Sequence, residues 1–253
     1  MSMSQEPEVQ PGWSRAHVSK RTQWAPGLIT LRLSVQPNFE AGQFFNLGLY
    51  LDGEFVRRAY SAASAPGEPL EFFIAEVHDG EFSPALFALT EGQHVWVEDN
   101  PQGFFTLRYL PAADELWLLA TGTGLGPFIA MLRSRMLWQR FQRVIVVHGV
   151  RDGSQLAYQA ELTALSEQHP LTLVTCLSRE RATAPALDGR ITQALANGSL
   201  ERAAGVPISP TRSHIMLCGN PDMLAEVTTL LVARGLAKHR QRKPGHITTE
   251  KYW

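Results

Sequence analysis

The sequence predicts two domains: a small antiparallel β-barrel or sandwich, followed by an α/β domain built on a parallel sheet. Three observations carry this reading. The chain has 253 residues, which at roughly 150 residues per domain is one large domain or two of ordinary size. Up to Asp99 it reads as short strands separated by turn-forming pairs, the pattern of a small all-β unit. After Pro101–Pro111 apolar strands alternate with helical segments, which is the pattern of βαβ units.

Taken in order, Met1 to Gly12 is polar, with Gln5, Glu6, Pro7, Glu8 and Pro11. It has no basic segment followed by an apolar one, so it reads as a flexible lead-in and not a secretory signal. Ile29, Leu31, Leu33 and Val35 alternate with Thr30, Arg32 and Ser34, which sends one face to a core and the other to water. Gln43–Leu51, Arg58–Ser64, Leu70–Val77 and His94–Asp99 are further strand-like runs. Pro26-Gly27, Ala41-Gly42, Asp52-Gly53, Pro66-Gly67, Asp79-Gly80 and Glu91-Gly92 supply the turns. A helix is expected over Ser83–Leu89, with Ser83 as N-cap and Pro84 at the first helical position. The domain boundary falls near Leu110, giving residues 13–109 and 110–253. Beyond it the expected elements are strand Leu116–Ala120, helix Phe128–Phe141, strand Val144–His148, helix Gln155–Gln168 and strand Leu171–Cys176. Helix Ile191–Leu195, strand Ile215–Cys218 and helix Met223–Arg234 follow.

Composition removes several classes of function. Hydrophobic residues make up 44% and charged residues 19%, enough for an ordinary core and too apolar for general disorder. Twenty-three Lys+Arg face 24 Asp+Glu, a formal charge of -1, so no whole-protein field draws the chain to nucleic acid or to an anionic membrane. Cys176 and Cys218 are the two cysteines, too few for a disulfide framework, a four-thiolate iron–sulfur cluster or a Cys-rich zinc site. No metal site is expected. No run approaches the ~20 apolar residues of a membrane helix. The expectation is a cytoplasmic monomer in a reducing compartment.

The segments that could carry chemistry lie in both halves. Thr121-Gly122-Thr123-Gly124-Leu125-Gly126-Pro127 follows an apolar strand and opens a helix. Small residues there let the backbone approach a phosphate; the alternative is a tight turn with no ligand. The spacing is neither G-x-G-x-x-G nor a Walker loop. The next strand ends in Val147-His148-Gly149-Val150-Arg151-Asp152. An acid there suits a ribose diol, and an arginine suits a 2′-phosphate. Arg179 and Arg190 follow later strands and could join Arg151 at the strand C-termini, or could be ordinary surface arginines. In Arg58-Ala59-Tyr60-Ser61 the strand period puts Arg58 and Tyr60 on one face, fit for a ligand with a charged linker and a flat ring; the alternative is an edge strand with a surface Arg and a half-buried Tyr. The chain closes on Glu250-Lys251-Tyr252-Trp253. That aromatic pair could stack on a ligand or anchor in the protein itself.

In combination these segments look familiar. Arg58-Ala59-Tyr60-Ser61, Gly122-Thr123-Gly124-Leu125-Gly126-Pro127, Cys218-Gly219-Asn220-Pro221 and the terminal Tyr252-Trp253 stand in the order seen in ferredoxin–NADP⁺ reductases. The chain most resembles the bacterial flavodoxin/ferredoxin branch ending in Tyr-Trp. The resemblance implies an antiparallel β-barrel holding FAD and an α/β domain holding NADP(H). It implies that Tyr60 stacks on the isoalloxazine, that Arg58 meets the FAD pyrophosphate with Ala59 beside it, and that Ser61 lies near the flavin N5. The backbone of Phe73 and Ile74 and the segment Glu81-Phe82-Ser83 would also line FAD, with Glu81 contributing its backbone. Thr123 would touch FAD from the second domain. Arg151, Ser178, Arg179 and Arg190 would hold the 2′-phosphate end of NADP(H). Gly219, Asn220, Pro221 and Asp222 would line the nicotinamide side. Tyr252 belongs to the same tail, and Trp253 would cover the other flavin face as a displaceable gate.

Catalytic roles are implied for Ser61 near N5, for Cys218 as a small group beside the nicotinamide, and for Glu250 in proton handling. Hydride transfer needs the reacting atoms about 3–3.5 Å apart, which one domain per cofactor can arrange. The acceptor would be a separate ferredoxin or flavodoxin; the basic run Lys238-His239-Arg240-Gln241-Arg242-Lys243 could steer it, or could be a solvated end after the last helix. Asp152 beside Arg151 would oppose a 2′-phosphate and weaken the preference for NADP. Two competing readings are an NAD(P)H reductase for free flavin, quinone or an oxygenase component, and a nucleotide-binding module without turnover.

Overall fold

In a computed structural model of the chain, residues 11–77 and 79–252 are described. The first half forms β1 (Trp13–Ala25), β2 (Leu28–Leu33), β3 (Phe44–Leu51), β4 (Glu54–Ser61), β5 (Glu71–Ala75), α1 (Phe82–Phe87) and β6 (His94–Glu98). One six-stranded sheet contains all six strands in the order β4-β3-β6-β1-β2-β5, with every pair antiparallel. The two ends of that order curl toward each other. Ala62, just past β4, bridges Phe72 of β5, and Ala63 N donates to Glu71 O at 2.8 Å. This closure makes the unit a barrel and not a sandwich. Asp52 and Gly53 both take positive φ, 48° and 87°, and join β3 to β4 as the two-residue turn that a twisted hairpin prefers. Ala16, Val18, Ile29, Leu31, Phe45, Leu47, Phe72, Ile74 and Leu86 fill the interior.

The second half runs β7 (Glu115–Thr121), α2 (Gly126–Leu132), α3 (Arg135–Arg140), β8 (Arg143–Val150), α4 (Gln159–Gln168), β9 (Leu171–Leu177) and β10 (Leu187–Asp188). It continues through α5 (Ile191–Ala196), α6 (Ser199–Ala204), β11 (Ser213–Gly219), α7 (Pro221–Ala233) and β12 (Ile247–Lys251). Its sheet is parallel throughout, in the order β10-β9-β8-β7-β11-β12. Leu116 to Ala120 and Val144 to Val147 are buried on both faces, as expected for strands covered by helices above and below. One apolar layer joins α5, α7 and Leu200 of α6 to the sheet. The other carries α2, α3 and α4, and it continues without a break into Ala25, Leu28 and Phe73 of the barrel. The two halves therefore share a core. Chain order reverses at β7, with β8 to one side and β11 to the other. Crevices at such reversals, outside the strand C-termini, are where open α/β sheets bind ligands. Among the described residues no helix is long and apolar enough to cross a membrane.

Several expected elements differ in detail. Glu81, not Ser83, is the residue before α1, and Ser83 Oγ instead accepts from Val77 N at 2.9 Å. The helix expected over Phe128–Phe141 breaks at Arg133-Ser134, where Ser134 is extended and Arg133 turns toward the barrel. The helix expected from Gln155 starts at Gln159, because Tyr158 adopts φ 60° and points its hydroxyl at Thr30. β1 and β12 were not expected as strands, nor α6 as a helix.

Candidate active site

The end of β7 and the end of β11 meet at the sheet reversal, and glycine makes the meeting possible. A Cβ on Gly124 would lie 2.5 Å from the Cys218 carbonyl oxygen and 2.9 Å from Gly219 Cα. Both are backbone atoms that cannot swing away, so the Gly122–Pro127 turn packs directly on the Cys218-Gly219-Asn220-Pro221 turn. Gly219, at φ +124°, would drive a Cβ to 2.3 Å from Thr121 Oγ1. That hydroxyl accepts from Asn220 N at 2.8 Å. Asn220 then caps α7, its side-chain oxygen accepting from Asp222 N at 2.8 Å and Met223 N at 3.2 Å. Gly122 faces open space above its Cα. From behind, His148 Nε2 bonds Gly122 O at 3.1 Å. Burial depresses the His148 pKa to about 4, so the ring is neutral and donates from Nε2.

Four side chains from the two domains converge in front of these turns. Ser61 closes β4, and its Oγ donates to Glu250 Oε1 at 3.2 Å. Glu250 is the register partner of Cys218 across the β11–β12 pair. The Tyr252 hydroxyl reaches both the Cys218 thiol and the Ser61 hydroxyl, and it lies 3.6 Å from a Cβ position on Gly126. Burial pushes the Glu250 carboxyl up to about 7, with the Ser61 hydrogen bond pulling the other way. Burial first and the Glu250 charge second hold the Cys218 thiol well above its ordinary pKa. A protonated, buried thiol is a poor nucleophile.

On the barrel side, Tyr60 is half-buried beside the Phe82 ring, with centroids 6.1 Å apart. Burial pushes its pKa up to about 12, so the ring is a neutral phenol. Arg58 and Ala59 are exposed on β4, and Arg58 Nη1 donates to the Arg57 carbonyl at 2.8 Å. Phe73 faces the second domain and Ile74 the barrel core. Both lie on β5, the terminal strand of the sheet order, paired with β2 on one side. Glu81 is exposed, Phe82 buried and Ser83 half-buried, while Thr123 is buried in the glycine turn.

Arg151, Arg179 and Arg190 are each exposed. They follow the C-termini of the adjacent strands β8, β9 and β10, and Arg179 N donates to Arg151 O at 2.7 Å. Ser178 Oγ donates to Val150 O at 3.2 Å. Asp152 accepts from Ser154 Oγ inside its own loop, which turns its carboxylate to a local partner. Pro221 opens α7 and Asp222 is exposed in its first turn. Trp253 lies outside the described residues. Sequence reasoning missed Thr121 and His148 as supports of the turns. It also missed Gly103, where a Cβ would lie 3.1 Å from the Phe44 ring and 3.9 Å from Glu250 Oε2. A hydroxyl next to a glycine turn was a legible signal for Thr121; Gly103 carried none.

Comparison with known proteins identifies the arrangement. Residues 118–229 match the oxidoreductase NAD-binding domain family. The chain is 41% identical over 247 residues to a flavodoxin/ferredoxin–NADP reductase of Escherichia coli strain K12, covering 95% of this chain and 99% of that protein. It is 34% identical over 242 residues to a ferredoxin–NADP reductase of Azotobacter vinelandii, covering 90% and 93%. A solved ferredoxin–NADP⁺ reductase of Neisseria gonorrhoeae, with bound FAD and NADP, has the same fold, with a TM-score of 0.91 at 32% identity over 96% of this chain and 100% of that one. With this likeness running along nearly the whole sequence and both sheets, the chain belongs to the flavodoxin/ferredoxin–NADP reductase family.

Proposed function

We propose that the protein exchanges electrons between NADP(H) and a ferredoxin or flavodoxin, with FAD held in the barrel domain (13–109) and NADP(H) on the α/β domain (110–253). One observation carries the reading: Ser61 of the barrel meets Glu250 and Tyr252 of the second domain at the sheet reversal, where Tyr252 also reaches Cys218. The residues fit FAD. Tyr60 offers a half-buried neutral ring, Gly122 leaves open space over its backbone, and the Ser61–Glu250 pair supplies a hydroxyl and a carboxyl at one place. FAD, when bound, supplies the conversion between a two-electron hydride and one-electron steps.

The remaining work falls to this chain's own groups. Tyr60 would orient the ring system by stacking. Arg58 would meet the pyrophosphate. The β5 edge at Phe73 and Ile74, with Glu81, Phe82 and Ser83, would line the slot. Arg151, Ser178, Arg179 and Arg190 would bind the 2′-phosphate, and Gly219, Asn220, Pro221 and Asp222 would border the nicotinamide. Glu250, titrating near neutrality, would hold or release a proton at Oε1 through Ser61 Oγ. Cys218, neutral and buried, would shape the site without attacking.

Lys238, Arg240, Arg242 and Lys243 are exposed on the loop ahead of β12, so this basic loop would steer an acidic acceptor. A cytoplasmic monomer accords with this reading. The larger exposed apolar side chains Tyr50, Val77, Phe104, Met136 and Val232 sit on separate elements. The test is anaerobic titration of the protein with NADPH and with NADH, followed by oxidised flavodoxin or free FMN. Bleaching by NADPH and preferential recovery with flavodoxin are expected. Bleaching by NADH alone, or equal recovery with free FMN, would reject the assignment of partners.

A further inference from the structure

The barrel and the α/β domain are joined by buried charges as well as by the shared apolar core. Along β5, Phe72 and Ile74 face the barrel interior, while Glu71 and Phe73 face the second domain. Arg133, the residue after α2, reaches Glu71 Oε2 with Nη1 at 2.5 Å, and the same nitrogen donates to Ala63 O at 3.0 Å. Its other edge forks onto α4: Nε to Glu161 Oε1 at 2.6 Å and Nη2 to Glu161 Oε2 at 2.8 Å. Glu71 receives a second guanidinium from the barrel, with Arg32 Nη2 at 2.6 Å. The side chains of Glu71 and Arg133 are only 8% and 21% exposed. Above the guanidinium, 5.7 Å away, lies the Tyr158 ring. The Tyr158 hydroxyl bonds Thr30 of the barrel at 2.6 Å, and Trp24 Nε1 donates to the same Thr30 at 2.8 Å.

The position of this network gives it meaning. α2 is the helix opened by the glycine turn. At its first residue, a Cβ position on Gly126 lies 3.6 Å from Phe73 Cβ and 3.6 Å from the Tyr252 hydroxyl. At its far end Arg133 holds Glu71, two residues from Phe73 on the same strand. α2 is thus fixed to β5 at both of its own ends. A cavity of about 190 Å³ opens beside the network, lined by Lys20, Thr22, Trp24, Arg32 and Glu161 among others, so apolar packing does not fill this part of the seam. Buried ion pairs are poor sources of stability compared with apolar side chains of similar size. A forked guanidinium between two carboxylates does impose direction, since each bond requires its own geometry.

We infer that Arg133 is a positioning residue: through Glu71 and Glu161 it sets the angle between the domains at which nicotinamide and flavin meet. The inference rests on the reductase reading above. Misplacement of reacting groups by about 1 Å can lower a rate by 10²-fold, so a loosened seam should appear in hydride transfer and not in cofactor retention.

The test compares the parent holoenzyme with Arg133→Met, Arg133→Lys and Glu161→Gln in anaerobic stopped-flow reduction by NADPH. The absorbance of the nicotinamide–flavin charge-transfer complex, bound FAD per chain and reoxidation by ferricyanide are read in parallel. For Arg133→Met we expect full FAD content and parental reoxidation by the small acceptor. Hydride transfer should be about 10-fold slower with a weaker charge-transfer signal, and Arg133→Lys should recover part of both. Glu161→Gln, which frees only the α4 arm, should lie between. If Arg133→Met does not fold, Glu161→Gln decides alone. Hydride transfer within twofold of the parent in the folded variants, or a loss shared equally by ferricyanide reoxidation, overturns the inference. Failure of NADPH to reduce the parent would instead reject the reductase reading.

Discussion

Replacing Glu250 by glutamine should remove a pH dependence that the parent shows near neutrality. The carboxyl has an ordinary value of 4.5, and burial pushes it up to about 7 against the opposing hydrogen bond from Ser61. At roughly 1.4 kcal/mol for each tenfold change in proton concentration, that displacement is at most about 3.5 kcal/mol of preference for the neutral acid, less where water reaches the half-buried group. The sign follows from linkage. The folded protein holds this proton more tightly than the unfolded chain, so Glu250 lowers stability progressively as pH rises from about 4.5 to about 7. Turnover in the direction that releases a proton at the site should rise through the same upper limit, where Glu250 becomes a base, and turnover in the reverse direction should fall. Flavodoxin reduction by NADPH, followed from about pH 5.5 to 9, reads the forward profile. Glu250→Gln should flatten it and lower the rate toward the ~10²-fold end of the range for general acid–base groups. A flat parental profile, or an inflection that survives in Glu250→Gln, would refute the assignment of the proton to this carboxyl.

Other substitutions test separate parts of the account. Gly124→Ala places a Cβ 2.5 Å from the Cys218 carbonyl; it should lose about 1–3 kcal/mol of stability, visible as a Tm lowered by several degrees, and an unchanged Tm would contradict the packing of the two turns. Arg151→Ala should raise the KM for NADPH about tenfold or more, the usual effect of losing a hydrogen bond to a charged group, and leave NADH unaffected; an equal change with both nucleotides would remove Arg151 from the 2′-phosphate site. Arg240→Gln combined with Arg242→Gln should slow flavodoxin reduction several-fold at low salt and flatten its ionic-strength dependence, while ferricyanide reduction stays at the parental rate; a salt response like the parent's would show that this loop does not steer the acceptor.

Much of the architecture was legible because local chemistry and tertiary structure agree. The apolar runs of β7 and β8 read as buried strands, and the glycines at 122, 124 and 126 marked a strand-to-helix turn. What the sequence concealed is long-range. β1 spans Trp13–Ala25, yet only Ala16, Val18 and Ala25 are buried, so it shows no apolar alternation to read. β12 buries Ile247 alone among its five residues and is a strand because β11 offers it a free edge. The break at Arg133 has no proline or glycine to announce it; the helix ends where Arg133 is recruited by a carboxylate 62 residues earlier in the chain. The same holds for the site. Ser61 and Glu250 could be nominated singly, but their contact spans 189 residues and only the fold creates it. Ser83 shows the opposite error: a good capping residue by type, it was drawn away by Val77.

The absorption spectrum of the purified protein, before and after anaerobic NADPH, decides whether the chain holds a reducible flavin. A yellow protein with about one FAD per chain, bleached by NADPH and restored by oxidised ferredoxin or flavodoxin, is the expected result. A preparation that is colourless and stays so after incubation with FAD would contradict it.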